Sequence, residues 1–157
     1  MDTAARHRKV RLIVSRGGLD EVHPAMIIAN AARMSGIETM IFFTVDGLDC
    51  VTEAKVDHLH VHIVGNQSRL VPTMLDGLPG MESFAAKLMK SKMDKLDMPP
   101  ARKVVAMLEV SGAELYGCQL AMETFELGRK DLLPQVKDII SAGDFFALSE
   151  GAQVIFT

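Results

Sequence analysis

Apolar positions along the chain fall into short runs and helical stripes that alternate from one end to the other. Residues 10–15 (VRLIVS) form a β-branched run that stops at Gly17-Gly18, the pattern of a buried strand running into a tight loop. Beyond the loop Asp20 offers an N-cap, Pro24 falls in a first helical turn that tolerates it, and Ile27, Ala31 and Met34 make an i, i+4, i+7 stripe. Gly36 then stands where helices commonly end on a left-handed residue. Residues 38–45 (ETMIFFTV) are apolar almost throughout, as in a strand covered on both faces, so the first 45 residues read as one βαβ unit.

The pattern then changes character. Asp46-Gly47 turns the chain, and residues 49–57 predict a short helix carrying Cys50. In residues 57–65 Leu59, Val61 and Ile63 alternate strictly with His58, His60 and His62, which predicts a strand with one polar face at a sheet edge or subunit boundary. Residues 66–80 read as loop, and residues 81–96 as an amphipathic helix ended by Pro99-Pro100; a Met/Lys-rich helical insertion thus spans about 74–98. Val104, Val105 and Leu108 mark a further helix that stops near Ser111-Gly112, ahead of a central strand at 113–118 (AELYGC). A helix over 119–127 closed by Gly128, a short strand within 132–140, a Ser141/Asp144 capping box opening another helix, and a terminal strand at 152–156 complete the series. Strands separated by helices make the economical architecture a single-domain α/β fold over residues 1–157. We expect a doubly wound, mostly parallel sheet of five or six strands with helices on both faces.

Composition narrows the partners. With 48% apolar residues and a positive mean hydropathy, the chain has more apolar surface than one core needs, which suggests subunit contacts and a homo-oligomer. Its formal charge of -3 leaves no basic field for nucleic acid. No run approaches the ~20 apolar residues of a membrane span, and the apolar run after the charged start is too short for a signal peptide, so a cytoplasmic protein without stable membrane insertion is expected. Two cysteines, neither in a CxxC pair, fit a reducing compartment.

Candidate chemistry centres on Cys118. Ligands in open α/β sheets gather outside the carboxyl ends of strands, and Cys118 is expected at such an end and at the start of a helix, whose N–H groups would favour the thiolate. Gly117 leaves room for close approach, and Gln119 can donate to a sulfur anion. The competing interpretation is a buried apolar filler. Cys50 is either a second thiol reaching the same edge to resolve a persulfide or an inert buried residue. His23, near the Gly17-Gly18 loop, is either a general acid or charge partner for the thiolate, or an exposed first-turn histidine. Gly17 and Gly18 lack the GxGxxG spacing of a dinucleotide site but could offer N–H groups to an anion. His58, His60 and His62 could face one metal ion, yet no acidic or cysteine cluster joins them, so no metal is assigned.

The run at 112–122 (GAELYGCQLAM), with Gly80-Met81 and the Met/Lys segment up to Lys95, resembles the DsrE/DsrF-like proteins, closest to the subgroup of DsrE-like or peroxiredoxin-family sulfur carriers. The resemblance extends from the opening strand to the closing GAQVIF. It implies a cytoplasmic sulfurtransferase or sulfur carrier holding sulfane sulfur as a persulfide on Cys118, with a donor or acceptor protein as partner and no cofactor. It also implies homo- or hetero-oligomers. Two departures stand out: Tyr116-Gly117 precede the cysteine where smaller or apolar residues are usual, and Glu126 stands where glycine is expected. The alternative function is a non-catalytic oligomeric interaction module in which the Met-rich helix recruits a partner.

Overall fold

The computed structural model describes residues 8–60, 87, 91 and 99–157. Within them five strands form one sheet in the order β4-β3-β2-β1-β5: β1 Lys9–Val14, β2 Glu38–Phe43, β3 Glu114–Cys118, β4 Asp138–Ile140 and β5 Gln153–Phe156. Every neighbouring pair is parallel, which requires a crossover between each pair of strands. The helices are α1 Leu19–Met34, α2 Ala101–Val110, α3 Gln119–Thr124 and α4 Ala142–Leu148. Steps from β1 to β4 all run one way across the sheet and the last connection returns past β1. Among the described helices, right-handed crossovers therefore put α1, α2 and α3 on one face and α4 on the other. This is the expected doubly wound α/β fold.

Strand register sorts the two faces. Leu12, Ile41 and Leu115 lie side by side across β1, β2 and β3, each essentially without exposed surface, under the three-helix layer. The opposite row aligns Ile13, Phe42 and Tyr116, and Phe145 of α4 packs on Phe42 with ring centroids 4.9 Å apart. β2 is buried from Thr39 to Phe43, which is why its sequence is apolar without alternation.

Several sequence expectations are corrected. Gly18, not Asp20, caps α1: its carbonyl accepts from the N–H groups of Glu21 and Val22, and Pro24 lies in the second turn. The stripe of Ile27, Ala31 and Met34 faces outward, while Val22, Ala25, Met26 and Ala29 face the sheet. Both sides of α1 carry apolar residues, so periodicity alone did not choose between them. Cys50 lies in a 3-10 helix at Val45–Val51 that begins four residues earlier than expected, because the Asp46-Gly47 turn is part of it. His58, Leu59 and His60 do not form a strand; the rest of that expected strand, including His62, and all but two residues of the Met-rich helix lie outside the described residues.

Other local expectations agree with the structure. Gly36 takes a φ of 71° after α1, and Ser141 and Asp144 form the reciprocal capping box of α4. α3 is shorter than expected, ending at Thr124. There Glu126 adopts φ 54° in a Schellman turn closed by Leu127 N–H to Met122 O at 2.9 Å and Glu126 N–H to Glu123 O at 3.2 Å. The residue standing where glycine was expected therefore holds the glycine conformation.

Candidate functional site at the carboxyl end of the sheet

Three strand ends build the site. β1 and β2 leave the sheet through loops that interlock: Thr44 N–H donates to Val14 O at 3.0 Å, and Gly47 N–H donates to Ser15 O at 3.2 Å. A Cβ on Gly17 would stand 2.3 Å from Asp46 O, and one on Gly47 would stand 2.1 Å from Val14 O, so both positions must be glycine for the backbones to pass. Gly17 is therefore spent on packing. Gly18 serves as the helix cap, and the N–H of Leu19 beside it donates to His60 O at 2.8 Å. Gly47 was not foreseen as a site-building residue, since an Asp-Gly pair signals a turn and says nothing of what the turn must pass.

β3 delivers the thiol. Cys118 pairs in register with Ile140 of β4 and shares the face of Glu114 and Tyr116, the one that α4 covers. It is the N-cap of α3 and retains 7% of its surface. α3 has only six residues, and the Cys118 side chain takes no hydrogen bond from its first turn, so the expected N–H cradle for a thiolate is not formed. Gln119 likewise donates its amide to Glu123 at 2.9 Å rather than to sulfur. Gly117 faces the other way: a Cβ there would meet Leu132 at 3.4 Å and Leu48 at 3.7 Å. The room beside Gly117 thus admits about a methyl group and is bounded by the chain's own core.

Cys50 and His23 are placed elsewhere. Cys50 is wholly buried in the 3-10 helix between Leu48 and Val51, and loss of solvent, reinforced by neighbouring Asp49, pushes its thiol far above the ordinary value. His23 is neither exposed nor aimed at the thiol. Buried in α1, it sets Nδ1 3.2 Å from Leu19 O and Nε2 3.1 Å from Pro99 O, so a neutral ring can donate to one of these carbonyls and an imidazolium to both. His58 and His60 are exposed, and among the described residues no three His, Cys, Asp or Glu side chains could hold a metal. No helix among them is long and apolar enough to cross a membrane.

Two carboxylates with shifted protonation lie at the other end of the sheet. Arg11, buried, donates to Glu38 at 2.6 Å and to Leu148 O at 3.1 Å, and it holds the Glu38 carboxyl below the usual range. Lys137 does the same for Glu114, which also accepts from the Tyr116 hydroxyl at 3.0 Å. These bonds fasten α4 and the strands together and do not reach the thiol.

A family model described as DsrE/DsrF/DrsH-like matches residues 6–156. The chain belongs to this family. It is 26% identical over 147 residues to the sulfur carrier protein DsrE2 of Allochromatium vinosum, covering 88% of this chain and 91% of that one. It is 23% identical over 152 residues to the uncharacterized protein YrkE of Bacillus subtilis, covering 94% of each. Among solved structures, MTH1491 from Methanobacterium thermoautotrophicum, a protein of unknown function, superposes with a TM-score of 0.59 at 11% identity, covering 96% of this chain and 99% of that one. The ychN protein from E. coli gives 0.57 at 12% identity with the same coverage. These two likenesses establish the fold.

Proposed function

We propose that this DsrE-like protein carries sulfane sulfur as a persulfide on Cys118 and passes it to a partner thiol. The observation that carries the reading is the position of Cys118 at the carboxyl end of β3, buried but for 7% of its surface, in a chain whose other cysteine has none exposed. Likeness over most of the chain to a protein named as a sulfur carrier supports the same chemistry.

In the loading step the Cys118 thiolate attacks the outer sulfur of a donor persulfide. An S–S bond forms on Cys118, the donor's S–S bond breaks, and the donor leaves as a thiolate. In the unloading step an acceptor thiolate attacks the sulfur now on Cys118, whose own sulfur leaves as thiolate. Neither step needs a net oxidant, a metal or an organic cofactor. A donor or acceptor protein in the cytoplasm is the partner this chemistry requires. A homo-oligomer would cover the exposed Phe146, Leu148, Val154 and Phe156 around α4 and β5.

Incubation with polysulfide and then intact and peptide mass spectrometry tests the proposal. The expected result is a gain of one or more sulfur atoms on the Cys118 peptide, reversed by a thiol and absent in Cys118→Ala. Equal gain by the wild type and the variant would exclude Cys118 as the carrier.

A further inference from the structure

Among the described residues the sheet has two edges, β4 and β5, and only one is guarded. At the β4 edge Lys137 and Asp138 bring charge to a three-residue strand, and the Asp138 carboxylate accepts from the N–H of Ile139 at 2.8 Å. Charge and shortness are common means of keeping an edge strand from pairing with another chain. The β5 edge has neither charge nor proline: residues 151–157 read GAQVIFT.

Register identifies the groups that this edge leaves bare. Thr157 N–H donates to Ile13 O at 2.9 Å and Ser15 N–H donates to Thr157 O at 3.0 Å, so the backbone of Thr157 faces β1. Alternation along the strand turns Gln153 and Ile155 the same way and points the N–H and C=O groups of Val154 and Phe156 out of the edge. Their side chains stand beside Arg11 and Ile13 on the α4 face, 43% and 70% exposed, and Phe146 of α4 is 65% exposed on that face too. On the other face Ile155 and the half-exposed Ile28 of α1 line an open groove along the same edge.

We propose that β5 pairs antiparallel with β5 of a second copy of this chain, about a two-fold axis at Ile155, so that two sheets become one. Val154 of each copy then stands opposite Phe156 of the other, and the exchange of both bonds in each pair gives about four backbone hydrogen bonds. The edge is its own complement: no like charges meet on the paired strands, and apolar residues face apolar residues on both sides of the sheet. A lone peptide strand would satisfy the bare groups but leave Phe146 and Ile28 uncovered, whereas a second copy brings its own α4 and α1 to these two layers. This is the contact through which a homo-oligomer forms, and it does not depend on the sulfur chemistry of Cys118.

Light scattering on the full chain tests this. The expected wild-type particle has at least twice the 17.1 kDa mass of one chain, and V154K/F156K, which gives β5 the kind of charge that guards β4, should halve it with the circular dichroism unchanged. Cross-linking supplies a readout that a misfolded variant does not mimic. In a Cys118→Ala background, Ile155→Cys should join two chains through a disulfide on mild oxidation with diamide. The residues on the axis form a non-hydrogen-bonded pair with Cα atoms about 4.5 Å apart, within the ~4.4–6.8 Å that a disulfide spans. Val110→Cys, 86% exposed on α2, should not cross-link. A wild type of one-chain mass, a larger mass that a folded V154K/F156K leaves unchanged, or cross-linking of Ile155→Cys no faster than that of Val110→Cys would overturn the proposal.

Discussion

The junctions that come after β2 and β3 begin alike and end differently. Each leaves the carboxyl end of an interior strand, each enters a short helix, and each carries one of the two cysteines. After β2 the chain dives inward: Gly47 slides beneath the Val14 carbonyl, and Leu48, Cys50 and Val51 lose all their exposure. After β3 it turns outward, so that Leu120, two residues past Cys118, is 72% exposed while the thiol itself stays at the boundary. Position at a strand's carboxyl end therefore does not fix whether a cysteine is wholly or almost wholly buried. The direction in which the next turn leaves the sheet does, and that direction is set by which backbone can pass close to which.

Native-state alkylation is the sharpest way to break this contrast. With a small maleimide Cys118 should react at least about 100-fold faster than Cys50, whose modification must wait for the 3-10 helix to open. Peptide mass spectrometry over a time course reads both rates in one sample, and comparable rates would remove the distinction between the junctions.

A second measurement uses protonation. The unfolded Cys50 thiol ionises near the ordinary value of 9.0, whereas burial keeps the folded thiol protonated well above it. A raised acid stabilises the fold fully below the unfolded value and loses that contribution as pH rises toward the folded one. Cys50 should therefore remove about 1.4 kcal/mol of stability per pH unit above 9.0, relative to Cys50→Ala. Urea unfolding of both proteins at several alkaline pH values checks the slope, and parallel curves would mean that Cys50 is solvated.

The smallest effect sharpens the outward junction. Glu126 holds a left-handed conformation at the end of α3 that costs a side-chain-bearing residue more than glycine. Glu126→Gly should raise stability by about 0.5–1 kcal/mol, read as a higher urea midpoint. Sulfur loading on Cys118 should be unchanged, because the Schellman turn lies at the far end of the helix from the thiol.

Much of this was legible in the sequence. The apolar runs of β1 and β2, the glycine after α1, the capping box of α4 and the missing glycine at position 126 are local signals, because they depend on a residue's own φ preference or on neighbours within one turn. The parallel sheet was implied by strands separated by helices, since parallel neighbours need long crossovers. The place of Cys118 at the end of a central strand was legible too, from the apolar run that carries it.

What only the tertiary structure decided is what each side chain meets across the molecule. Which side of α1 is buried, that Gly17 and Gly47 exist to let two loops cross, that Leu48 and Leu132 bound the space beside Gly117, and that His23 faces the Pro99 carbonyl 76 positions away are all contacts between distant segments. A linear pattern records how polar a position is. It does not record which neighbour supplies the burial, and the complete burial of Cys50 and the 7% of surface left to Cys118 both come from such neighbours.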